Sequence, residues 1–144
     1  MAYEKEIKML QIKPGEYPQV ITAPQTLKSL QSLVDGDIEV VYPWKDDVAL
    51  VVDDCGKLNG KPLNRPLKDY DVLAGTILVV GLDGPDFKSL REDQIKKYEK
   101  IFHQPYVFIP TMKGIHMMPC LPRQYEEAME ILEQRNKRFG RDER

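Results

Sequence analysis

Histidine, cysteine and tryptophan are scarce in this chain, with two, two and one among 144 residues. Cys55 and Cys120 are too few and too distant for the dense, even cysteine framework of a small secreted domain, so reduced thiols are expected. The sequence has no Cys-x-x-Cys and no His-x-x-x-His; of the candidate zinc ligands His103, His116, Cys55 and Cys120, only His116 and Cys120 are near neighbours. Structural zinc needs paired ligands on tight turns, so no metal site is expected. A nucleophilic Cys–His pair lacks any local signature. No catalytic residue and no cofactor is assigned. A basic excess is also missing, the formal charge being -2, which argues against non-specific nucleic-acid binding. No apolar run approaches the length of a membrane span, and the charged start, Met1 to Lys8, does not read as a signal peptide. The cytoplasm is the expected location.

What is present is ordinary globular material, 42% apolar and 31% charged. The length suits one core and is short for two, so residues 1–144 are read as a single domain. Ile7 to Lys13 alternates as a strand, Pro14-Gly15 turns, and Tyr17 to Thr22 returns as its hairpin partner. Leu27, Leu30, Leu33 and Val34 have helical spacing, with Thr22 and Thr26 as rival N-caps and Gly36 suited to the left-handed position at the end. Asp37 to Tyr42 reads as a strand. Val48 to Val52 is continuously apolar, as in a strand buried on both faces. Asn59-Gly60 favours a tight hairpin turn, and Pro62 to Tyr70 reads as loop. Gly75 interrupts a strand from Val72 to Val80, suggesting a bulge or close backbone approach.

Ser89 with Glu92 suggests a capping box before a helix whose apolar side carries Ile95, Tyr98 and Phe102. Tyr106 to Ile109 reads as a strand and Thr111 to Leu121 as irregular. Pro122 opens a last helix with a stripe of Tyr125, Ala128, Met129 and Leu132, its end fraying from Gly140. The stripe is expected to dock on the domain or on a second copy. The fold expected from these runs is a compact α+β domain, with a mixed or mainly antiparallel sheet of about five strands packed by two or three helices.

Four stretches occur in order: Ile38-Glu-Val-Val-Tyr-Pro-Trp, Asp47-Val-Ala-Leu-Val-Val, Gly56-Lys-Leu-Asn-Gly-Lys-Pro-Leu-Asn-Arg-Pro-Leu, and Val72-Leu-Ala-Gly-Thr-Ile-Leu-Val-Val-Gly. With them the chain resembles the domain of unknown function 3846 family, small proteins common in phages and mobile elements of Gram-positive bacteria. The resemblance covers about residues 7–102, leaving 105–139 as a C-terminal strand and helix extension. The stretch Lys68 to Asp71 is shorter than the family pattern. The resemblance brings no activity and no catalytic residue. What it implies is an accessory gene of a phage or mobile element, working in the host cytoplasm, often against host defence.

The paired acids Asp46-Asp47, Asp53-Asp54, Asp69 with Asp71, and Asp83 with Asp86 fall at turns, where aspartate bonds its own backbone, and are read as solvated. Two loops are singled out as a ligand- or partner-binding set: Tyr42 and Trp44 at a strand end, and Asn64 with Arg65 between Pro62 and Pro66. A proline-flanked loop is stiff, so Arg65 is expected at the surface, its planar fork suited to carboxylate or phosphate. Trp44 would stack on a ligand or anchor an interface. The competing reading has Trp44 covering the core edge and Arg65 paired with an aspartate. On the surface reading, Arg65→Ala should leave folding within about half a kcal/mol of the parent. The function expected is a non-enzymatic counter-defence protein that binds and inhibits a host protein. The alternatives are a binder sequestering a small anionic, nucleotide-type signal, and a small hydrolase-type enzyme. Self-association is compatible with all three.

Overall fold

A computed structural model describes residues 6–67 and 71–142, with side chains through 137. Thirteen elements run β1 (Glu6–Ile12), β2 (Gln19–Pro24), α1 (Leu27–Val34), β3 (Ile38–Val41), β4 (Val48–Asp53), β5 (Leu63–Arg65), β6 (Leu73–Ala74), β7 (Ile77–Asp83), β8 (Asp86–Lys88), α2 (Glu92–Ile101), β9 (Tyr106–Thr111), β10 (Gly114–Pro119) and α3 (Pro122–Asp142). The main sheet has the order β2-β1-β7-β4-β3, with β8 added to the end of β7. Every pairing in it is antiparallel. This is an α+β architecture.

The strands obey the period of two on both faces at once. Leu10, Ile12, Val48, Leu50, Val52, Ile77 and Val79 point to one side, where α2 lays down Ile95, Tyr98 and Phe102. Ile7, Met9, Ala49, Val51, Leu78 and Val80 point to the other, where α1 lays down Leu30 and Val34. All six residues of β4 are buried, as the unbroken apolar run demands. Two cores therefore sandwich one sheet.

Several local details differ from the sequence expectations. Thr26, not Thr22, caps α1, its hydroxyl accepting from the Ser29 N–H at 3.2 Å; Thr22 lies within β2. The left-handed residue after α1 is Asp35 (φ 57°), not Gly36. Gly36 is needed for space instead, since a Cβ there would lie 2.7 Å from the Asp53 carboxylate. Arg91 starts α2, with Gln94 Oε1 accepting its N–H at 3.0 Å. Ser89 accepts from the Lys8 N–H at 2.9 Å and so ties the β8 connection to β1. Gly75, at φ 77°, does break a strand, but β6 on its far side pairs with β5 in a separate ribbon. The stretch read as irregular contains β10, which pairs with β9. Pro62 to Tyr70 is not all loop, for it contains β5; Lys68, Asp69 and Tyr70 lie outside the described residues.

α3 lies on its own domain. Tyr125 packs on the Pro14-Gly15 turn so closely that a Cβ on Gly15 would lie 2.0 Å from its ring. The helix runs to Asp142, past Gly140.

Candidate docking groove

The residues singled out in the sequence meet, but as packing rather than as a recognition surface. Asn64 and Arg65 are 0% and 2% exposed, which overturns the expectation that Arg65 is presented to solvent. Arg65 Nε donates to the Phe102 carbonyl at 3.0 Å, one terminal nitrogen to Asn64 Oδ1 at 2.9 Å, and the other to the Glu16 carbonyl at 2.5 Å. Asn64 Nδ2 donates to the carbonyls of Ile12 at 2.8 Å and Gly75 at 2.7 Å. The prolines thus stiffen a strand that staples the β1–β2 turn to the end of α2. Burial pulls the guanidinium down to about 10, with the nearby Cys120, Tyr106 and Tyr125 opposing, so it stays cationic at neutral pH. Among the described residues Arg65 has no aspartate partner either; its partners there are oxygens of the main chain and of an amide.

Trp44 packs on Tyr98 and Phe102, with ring centroids 4.7 and 6.0 Å away. It and Arg65 therefore share Phe102 as a neighbour, while the indole covers the core edge. Asp46 and Asp53 depart from the solvated-turn reading. Asp46 accepts from the Tyr98 hydroxyl at 2.7 Å, and that bond first of all holds its carboxyl below the ordinary range. Asp53 is buried; desolvation pushes its carboxyl up, but Lys61 at 2.5 Å and donors from Cys55 and Asn59 more than offset this. Lys61 also donates to the carbonyls of Val34 and Asp35, closing the end of α1.

Tyr42 alone of the four faces open space. It lines a hollow of about 510 Å³ beside β3 and the Asp53–Leu58 turn. That hollow carries Glu39, Asp53, Asp54 and Asp71 against Lys57, an excess of carboxylate that repels a phosphate. Lys57 and Asp71 form an ion pair, and with Val72 they also border a second hollow of about 320 Å³. Leu63, Phe108 and Ile115 continue from there into a third, about 230 Å³, closed by Tyr125, Met129 and Leu132 of α3. Each hollow shares wall residues with the next, and the third, between β9–β10, α3 and β5, is the candidate groove.

The groove's inner end is apolar because of how the hairpin and helix are written. The register puts Ile115 beside Pro110 and Met117 beside Phe108 on one face of β9–β10. Tyr125, Met129, Leu132 and Asn136 recur at helical spacing and face it. One position on, Glu126, Glu130 and Glu133 form an exposed acidic row along α3. Ile115 and Met117, on the wall of these hollows, remain 60% and 44% exposed, and Met118, on the opposite face of β10, is 49% exposed. Sequence reading missed this surface, since β10 was not recognised; the one signal was the stripe on α3. The two thiols differ: Cys55 is exposed, whereas Cys120 is buried and its thiol pushed up by desolvation, the reverse of an activated nucleophile. His103 stacks on Tyr17 at 4.6 Å.

Among the described residues no cluster of three or more His, Cys, Asp or Glu side chains is arranged to hold a metal, and no helix is long and apolar enough to cross a membrane. No curated protein and no solved structure matches the chain. The family model described as domain of unknown function (DUF3846) matches residues 7–103, and the chain belongs to that family.

Proposed function

We propose that this chain is a non-enzymatic binding protein that engages a protein partner through the groove between β9–β10, α3 and β5. Bound to a host protein as an inhibitor, it would serve the accessory, counter-defence role that its family resemblance implies. The observation that carries the reading is the pair of exposed apolar side chains, Ile115 and Met117, on the one face of the β9–β10 ribbon that borders the groove. Leaving Ile115 and Met117 in water is unfavourable, and such patches mark interaction sites. Methionine suits a surface that must mould to a partner, being unbranched and polarisable. The acidic row of Glu126, Glu130 and Glu133 beside the groove selects an apolar segment flanked by lysine or arginine. A nucleotide-type ligand has less support, because Arg65 is buried and the hollow at Tyr42 is rich in carboxylates.

The test is recovery of a stoichiometric complex from host lysate, followed by binding measurements with the purified partner. Met129→Glu should weaken binding at least tenfold with an unchanged melting temperature, and binding should fall with added salt. Equal affinity for parent and variant would sink the groove reading.

A further inference from the structure

The outer edge of β10 is a strand without a neighbour. Among the described residues β10 pairs only with β9, and all six of its residues are exposed. The register fixes where its backbone groups point. Ile115 stands opposite Pro110 and Pro119 opposite Tyr106. Proline has no N–H, so neither pair can exchange two hydrogen bonds, and both are of the non-hydrogen-bonded kind. Strict alternation makes Met117–Phe108 the same. The Cys120 N–H to Pro105 carbonyl bond, 3.1 Å, continues that alternation beyond the strand. The N–H and C=O of Ile115 and Met117 therefore point away from β9.

We propose that this edge binds a second copy of the chain, antiparallel, about a twofold axis at His116. In that register Ile115 of each copy stands opposite Met117 of the other, which are the residues whose backbone groups face outward. Each such pair exchanges two backbone bonds. The apolar face of Ile115, Met117, Phe108 and Pro110 then runs on across the axis, burying part of the surface left exposed in the monomer. Self-complementarity of this kind is what a twofold contact requires. Edge strands are ordinarily blunted by charges, prolines or bulges. β3 carries Glu39 and is followed two residues after its end by Pro43, and β2 is bracketed by Pro18 and Pro24. β10 has no Lys, Arg, Asp or Glu between Gly114 and Pro119. Its one ionisable side chain, His116, meets its own copy at the axis. The pairing does not depend on the groove having a partner.

Sedimentation equilibrium of the full chain tests this. Two six-residue strands give an interface below the roughly 1,200 Å² of standard complexes, so monomer and dimer should exchange over the micromolar range. Met117→Pro deletes an outward N–H without touching the bonds to β9 and should remain monomeric where the parent is half dimer. His116→Glu and His116→Lys should each raise the dimer Kd at least tenfold, and an equimolar mixture should recover association. Circular dichroism and Trp44 fluorescence check folding; should Met117→Pro not fold, the His116 pair decides. A parent that stays monomeric at every concentration, or binds only foreign strands, overturns the proposal. So does a dimer unaffected by either His116 variant.

Discussion

A guanidinium with no carboxylate partner among the described residues is the residue-scale signature of this protein. Arg65 and Asn64 together satisfy carbonyls from β1, the β1–β2 turn, Gly75 and the end of α2. Removing either leaves buried oxygens unsatisfied, at about 1–3 kcal/mol for each. Arg65→Ala should therefore lower the unfolding free energy by roughly 3 kcal/mol or more, read from urea melts, instead of the half kcal/mol the surface reading predicts. The two prolines were legible as stiffening; the direction of the side chain was not, because the acceptors come from segments distant in sequence. Asp53 and Lys61 give a second residue-scale test. Asp53's folded carboxyl lies below its ordinary value, so its contribution is present above about pH 4 and is lost as pH falls through the depressed folded value. In Lys61→Met the buried carboxylate loses its cation, at a cost of roughly 3–5 kcal/mol, and burial, the largest influence, should then outweigh the remaining donors of Cys55 and Asn59 and raise its folded value. The sign of the pH dependence reverses: the variant should gain stability from pH 7 to 5, where this pair leaves the parent flat. Parallel slopes would show that Lys61 does not hold the carboxylate.

At the scale of elements, sequence patterns identified those with one buried face and failed where no face is fully dry. Ile95, Tyr98 and Phe102 wrote α2, and the unbroken run wrote β4, because burial of one face leaves a period in the sequence and burial of both leaves a continuous apolar run. The β9–β10 ribbon is wet along all of β10, so Ile115, His116, Met117 and Met118 carry no alternation to read. α3 was legible as an amphipathic helix, but its seat was not, since the contact is with a glycine. Gly15 has φ 76° and no room for a methyl group beneath Tyr125. Gly15→Ala should cost about 1–3 kcal/mol through strain and overpacking. Tyr125→Ala should cost a similar amount through lost burial. Because the first clash needs the ring, the double variant should be at least 0.5 kcal/mol more stable than the sum of the single losses predicts. Strict additivity in thermal or urea melts would mean that α3 does not rest on the turn.

The whole molecule is one sheet with a core on each face, and the family match of residues 7–103 covers that sheet and both helices that pack it. The match ends beside Phe102, whose carbonyl receives Arg65, so the part that follows is laid on a framework already closed. That the chain makes a mainly antiparallel α+β sheet was legible from its short apolar runs and turn signals. The strand order was not, because local hairpins do not reveal which strand lies at the centre. That strand is β7, which lies between β1 and β4. Its position has a consequence for the timing of synthesis. Ile12 finds its partner only when Ile77 has been made, a wait of several seconds at roughly 5–20 residues per second. Until then β1–β2 and β3–β4 are separate hairpins, each with an apolar flank that nothing covers. Long-range pairing of this kind also slows folding of the finished chain. Nascent chains halted at Val72 should be cut readily by protease, whereas full-length released chains should resist. Equal resistance at Val72 would mean that the two hairpins can shelter one another before the strand between them exists.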